Sequence, residues 1–126
     1  MKLLYTLGAC ALALGLLAGC ADEPAKVAEN AKGKILTDSK GMTLYTFDRD
    51  TAGKSACNGQ CAVNWPPLMV AANSTASGDW TVVTRDDGSK MWAYKGKPLY
   101  TWIKDTKPGE MTGDGVANNT WHVAKP

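Results

Sequence analysis

The chain has 126 residues, 14 basic and 12 acidic side chains, a formal charge of +2, four cysteines and a single histidine. That length holds one small domain with a modest core, and with no block of like charge nothing implies nucleic acid or an anionic membrane face as a partner. One histidine cannot build a two-His blue-copper site or a Cys2His2 zinc site from a single chain.

The chain opens MKLLYTLGACALALGLLAGC, with Lys2, an apolar run from Leu3 to Leu17, and Leu17-Ala18-Gly19 directly before Cys20. This pattern reads as a secretory signal peptide over 1–19. A membrane anchor is the alternative, but the run of about 15 residues is broken by glycines and falls short of the roughly 20 that a spanning helix needs. Leu-Ala-Gly-Cys resembles the bacterial lipobox, which implies diacylglycerol on Cys20 and Cys20 as the mature N-terminus. Acyl methylenes, at about 0.8 kcal/mol each, would then hold the protein on a membrane. By resemblance to Gram-negative sorting, Ala21 after the cysteine implies the periplasmic face of the outer membrane. Residues 20–33, rich in Ala, Lys and Glu, read as a flexible tether, because so little apolar surface cannot offset the entropy of ordering it.

Beyond the tether, 34–126 reads as a β domain. Lys40-Gly41-x-x-Leu44-Tyr45-Thr46-Phe47-x-x-Asp50 returns as Lys95-Gly96-x-x-Leu99-Tyr100-Thr101-Trp102-x-x-Asp105, and Asn64-Trp65 is answered by Thr120-Trp121. The spacing is a tandem repeat of about 55 residues with a one-residue gap, giving copies over about 34–70 and 80–124. Turn signals at Asp38-Ser39-Lys40-Gly41, Asp87-Gly88 and Lys95-Gly96 predict hairpins over 34–47 and 80–103. Asn58 to Trp65 predicts one short helical turn, ended by Pro66-Pro67. Residues 108–115 are Gly-rich loop, and Trp121-His122-Val123 closes the sheet. The fold class is mainly β, a small single domain of antiparallel hairpins.

The stretches Tyr45, Phe47, Asp50 and Tyr100, Trp102, Asp105 resemble the bacterial secreted-repeat lipoproteins that carry a Tyr-x-(Phe/Trp/Tyr)-x-x-Asp motif. Cys57-Asn-Gly-Gln-Cys61-Ala-Val-Asn-Trp65-Pro-Pro and Gly96-Lys-Pro-Leu-Tyr100 share the likeness, which covers nearly the whole chain beyond the tether. It implies the fold and the envelope address, and it carries no catalytic residue.

In a strand Tyr45 shares a face with Phe47, and Tyr100 with Trp102. The scaffold reading puts these aromatics in the core, with Asp50 and Asp105 accepting N–H bonds in the turns that follow. The rival reading makes the Asp pair a ligand or cation site. Asp48, Asp50 and Gly53 faintly resemble a calcium loop, but no acidic residue closes it near position 59. Cys57 and Cys61 are the thiols left once Cys20 is lipidated. An oxidising envelope favours a disulfide between them, while a redox-active pair would more often read CxxC. His122 reads as a sheet-end residue beside Trp121. No nucleophile elbow, P-loop or HExxH motif is present. The leading expectation is a non-enzymatic envelope module that needs no cofactor or metal and binds an envelope protein or small ligand or braces structure. The alternative is a periplasmic thiol redox or electron-transfer accessory using Cys57 and Cys61.

Overall fold

A computed structural model describes residues 24–126; the signal peptide over 1–19 and Cys20 lie outside the described residues. In chain order the elements are β1 (Lys26–Asn30), β2 (Gly33–Thr37), β3 (Tyr45–Phe47), the short helix α1 (Gln60–Asn64), β4 (Trp80–Thr84), β5 (Lys90–Tyr94), β6 (Lys97–Pro98), the turn α2 (Val116–Asn119) and β7 (Trp121–Val123). The domain is mainly β, as the turn signals and alternation imply.

The duplication is visible as two equivalent hairpins. β1 pairs antiparallel with β2 from Lys26↔Thr37 to Asn30↔Gly33, and β4 pairs with β5 from Trp80↔Tyr94 to Thr84↔Lys90. The residues that end each copy cross to the other. β7, at the end of the second copy, pairs with β3 in the first, through Tyr45↔Val123, Thr46↔His122 and Phe47↔Trp121. The end of the first copy does the same in return, with Pro67 bridging Tyr100 and the Thr101 N–H donating to the Pro66 carbonyl at 2.9 Å. That second pairing stays short of a strand ladder because Pro66 and Pro67 have no N–H to give.

Each exchange closes a ring of three backbone hydrogen bonds. Leu36 donates to Ala124 (3.0 Å), Ala124 to Leu44 (2.8 Å) and Leu44 to Leu36 (3.0 Å). In the other copy Trp92 donates to Leu68 (2.8 Å), Leu68 to Leu99 (2.9 Å) and Leu99 to Trp92 (3.1 Å). Two rings, each with one member on loan from the other copy, are the geometry of an exchanged dimer joined into one chain.

The structure departs from two expectations. Residues 20–33 are not tether throughout, because Lys26–Asn30 is strand and Ala25 is buried beside Leu36, Leu44, Leu99 and Ala124. β1 contributes backbone pairing to a buried neighbour, Ile35-Leu36-Thr37, while its own side chains are mostly exposed. An apolar count therefore passes over it. The hairpin over 34–47 is present but short: Asp38 N–H donates to Met42 O (2.9 Å), Thr37 bridges Thr43 antiparallel and Leu44 donates to Leu36 (3.0 Å), while the longer ladders run from β2 to β1 and from β3 to β7. The hairpin over 80–103 and the helical turn within 58–65 are present as β4–β5 and α1.

The main core gathers Ile35, Tyr45, Cys57, Trp65, Val83, Met91, Tyr100, Trp121 and Val123. Both copies supply it, so neither has a complete core alone.

Candidate functional site

Tyr45 and Tyr100 sit face to face where the copies meet. Each backbone N–H donates to the other's carbonyl, Tyr45 to Tyr100 at 2.7 Å and Tyr100 to Tyr45 at 3.0 Å, and both side chains are fully buried. Every other residue of an extended segment points the same way, so Phe47 and Trp102 follow the tyrosines inward and pack on the core.

Each tyrosine serves the aspartate of the other copy. Tyr45 Oη donates to Asp105 Oδ2 at 2.6 Å, and Tyr100 Oη donates to Asp50 Oδ2 at 2.6 Å. The remaining oxygens tie down the loops that follow: Asp50 Oδ1 accepts the Ala56 N–H at 2.6 Å, and Asp105 Oδ1 accepts the Thr112 N–H at 2.9 Å and the Thr112 hydroxyl at 2.6 Å. Burial pushes both tyrosine hydroxyls far above their ordinary range, and the facing carboxylates add to the shift. The phenols therefore stay protonated as donors at any physiological pH. Burial also pushes the Asp50 carboxyl upward, against the opposing pull of the Ala56 N–H, the Tyr100 hydroxyl and Arg85.

The rings form a column beside this exchange. Phe47 stacks on Trp121 (4.2 Å between centroids), Trp121 on Trp65 (3.7 Å) and Trp65 on Trp102 (4.0 Å), while Tyr45 meets Trp65 and Tyr100 meets Trp121 edge-on. The edge-on contacts are a favoured arrangement of aromatic quadrupoles, and the stacked rings add large buried apolar area. Gly113 lies against the column so closely that a Cβ there would stand 2.8 Å from Trp65 Cη2.

The first copy's aspartate has further partners. Ser55 Oγ lies 2.6 Å from Tyr100 Oη and accepts from Arg85 Nη1 at 3.0 Å, and Arg85 Nη2 donates to the Cys57 carbonyl at 2.8 Å. Arg85, buried at the end of β4, so reaches Asp50 through two hydroxyls. Buried charge is tolerated where hydrogen bonds saturate it. Cys57 and Cys61 are joined as a disulfide, Cα atoms 5.2 Å apart, with Cys57 buried and Cys61 half-buried at the start of α1.

The structure thus brings Tyr45, Phe47, Asp50, Tyr100, Trp102 and Asp105 into one assembly, with the disulfide at its flank. Ser55, Arg85, Thr112 and Gly113 were invisible to the motif reading because their roles come from partners far along the chain; Trp65 and Trp121 were signalled by their matched positions. Among the described residues no three His, Cys, Asp or Glu side chains converge as a metal site. Asp48 turns from Asp50 to His122, Oδ2 to Nε2 2.9 Å.

A family model described as a secreted repeat of unknown function matches residues 26–69 and again 81–125. The chain belongs to that family. The first match opens with β1 at residue 26, which moves the start of the first copy forward from about 34. Each matched repeat also contains the segment it lends to the other. No curated protein and no solved structure matches the chain. Among the described residues no helix is long and apolar enough to cross a membrane.

Proposed function

We propose that this secreted repeat is a non-enzymatic module of the cell envelope, held at the periplasmic face of the outer membrane by lipid on Cys20, which binds a partner or small ligand or braces envelope structure. The observation that carries the reading is the reciprocal use of the motif. Both tyrosine hydroxyls and both aspartates are engaged with one another and with loop N–H groups. A catalytic acid or base must instead reach a substrate proton with a poised pKa, and burial holds these phenols protonated. The secreted family description supports the address, and Leu17-Ala18-Gly19 before Cys20 supports the anchor.

The thiol-redox alternative rests on the same disulfide. Cys57 is buried and Cys61 half-buried, and exchange depends on access of an attacking thiolate to sulfur. The deciding experiment for the anchor is metabolic labelling with a fatty-acid probe followed by membrane fractionation. Wild type should be labelled and sediment with the outer membrane, and Cys20→Ser should be unlabelled and unprocessed. Equal labelling of both proteins would refute the anchor.

A further inference from the structure

The two copies share the exchanged tyrosine–aspartate bonds and the tryptophan pair, and their surfaces differ. A cavity of about 320 Å³ opens between Phe47 and the Lys95–Pro98 turn, and a second of about 280 Å³ lies beyond it, floored by Tyr94 and flanked by His122 and Lys125. Thr46, Asp48, Lys95 and Lys97 line both, so the two are neighbouring chambers of one groove. Each is near the lower end of the roughly 300–1,000 Å³ of small-molecule sites, and together they suit an extended ligand of repeating units.

The copies differ beside this groove. Gly53 N–H donates to the Gly96 carbonyl at 3.2 Å, and its counterpart Gly109 donates to Gly41 at 3.2 Å. The residue before Gly109 is Pro108, whose Cβ comes within 3.1 Å of where a Gly41 Cβ would stand; before Gly53 it is Ala52, at 3.9 Å from the corresponding point on Gly96. Pro108 thus fills the turn-and-loop junction that Ala52 leaves looser. Part of the charge differs as well. Asp48, His122 and Lys125 occupy the positions that in the other copy hold Ile103, Pro66 and Met69.

The groove wall combines cations with carboxylates. Lys95 and Lys97 have no ion-pair partner among the described residues, whereas Asp48 is held by His122. Polyphosphate would gain from the lysines but be repelled by Asp48 and Asp50. A ligand bearing both carboxylates and hydroxyls suits this wall: carboxylates for the lysines, a hydroxyl donor for Asp48, whose Oδ2 is engaged by His122, and an apolar sugar face for Phe47, which lines the first chamber. Lys95 (φ +52) and Gly96 (φ +86) are the two central residues of the Tyr94–Lys97 hairpin turn, and both chambers are lined by Lys95.

From this geometry we infer that the groove around Thr46, Asp48, Lys95 and Lys97 binds an acidic, uronate-type oligosaccharide. The inference rests on the binding-module reading above and names its site. The test is calorimetric titration of the purified full-length protein in detergent with tetragalacturonate, with its methyl ester and with inorganic polyphosphate. Tetragalacturonate should bind, the ester should bind at least tenfold more weakly, and polyphosphate should not compete. Lys95→Gln and Lys97→Gln should each weaken binding about tenfold, the weight of a hydrogen bond to a charged group, with unfolding midpoints unchanged. Lys107→Gln, on the loop that carries Pro108, should bind as wild type does. Unchanged affinity in both groove variants, equal binding of polyphosphate, or no binding of the uronate would each overturn the assignment. Uronate binding by a protein that carries no lipid would support the groove and refute only the anchor; lipid labelling of a protein that ignores the uronate would do the reverse.

Discussion

The two copies solve one packing problem by different means. Around Asp105, Tyr45 and the Gly113 N–H form a small, closed arrangement: Gly113 donates to Tyr45 Oη at 3.2 Å, and Asp105 is buried. Around Asp50, Cys57 stands where Gly113 does, Ser55 and buried Arg85 extend the network, and a disulfide locks the right-handed helix α1. The counterpart of α1 is α2, which runs through the left-handed region at Ala117, Asn118 and Asn119 (φ 59, 60 and 64). Both turns deliver a tryptophan, Trp65 or Trp121, to the same stack. The comparison teaches that the exchanged tyrosine–aspartate bonds and the tryptophan pair are the common device, while the route taken to them was free to drift.

The largest test of that device is removal of the shared rings. Trp65→Ala and Trp121→Ala should each cost about 3–5 kcal/mol, and by similar amounts, since each ring lies between two others in the column. In a domain with about 5–15 kcal/mol of stability, either loss could unfold the protein. Urea unfolding of both variants decides it; one ring proving dispensable would break the equivalence of the copies.

Tyrosine hydroxyl deletion sharpens the comparison. Tyr45→Phe should cost more than Tyr100→Phe, within a range of about 1–3 kcal/mol, because it strips the donor from buried Asp105 and also orphans the Gly113 N–H, whereas Asp50 is only partly buried. The same unfolding curves supply the answer, and a reversed order would show that the Ser55–Arg85 network, not burial of the carboxylate, sets the cost.

The disulfide belongs to one copy only. Cys57→Ala/Cys61→Ala should lose about 2 kcal/mol on the chain-entropy account of so short a loop, and reductant should lower the unfolding midpoint of wild type without moving that of the double variant. A smaller effect comes from turn handedness, and its sign differs between copies. Ala117→Gly should stabilise by about 1 kcal/mol by relieving an L residue held left-handed, while Ala62→Gly in α1 should destabilise by about 0.5–1 kcal/mol. Thermal melts of the two variants moving in the same direction would contradict the assigned turns.

The smallest effects are titrations. Asp114 is held below the usual carboxylate range, chiefly by Lys32 at 2.8 Å. A depressed folded value contributes stability that is present above the unfolded value and lost as pH falls through the folded one, so the wild-type advantage over Asp114→Asn, under about 1 kcal/mol for a pair whose lysine is solvent-exposed, should vanish in acid. Asp50 has the opposite sign. Burial raises it above its ordinary value of 3.8, so the cost of its ionised form should disappear as pH falls toward that value, and wild type should gain on Asp50→Asn over that window. Carboxyl NMR titration should place Asp50 above 3.8 and Asp114 below it.

Sequence alone determined a duplicated, mainly β domain, the helical turn near Gln60, the hairpin after Trp80 and the aromatic identity of the core, because period-two alternation, turn residues and repeated words are local signals. It also placed Asp50 and Asp105 at loop starts, where each accepts the N–H of a residue six or seven positions on. Only the tertiary structure decided that Tyr45 serves Asp105 and Tyr100 serves Asp50, that β7 crosses to β3, and that Lys26–Asn30 is strand. A repeat in a chain is equally compatible with two copies folded side by side or exchanged, because both present the same motif at the same spacing. The choice lies in hydrogen bonds between residues 50 to 60 positions apart, and in an edge strand that contributes backbone pairing and leaves no apolar pattern to read.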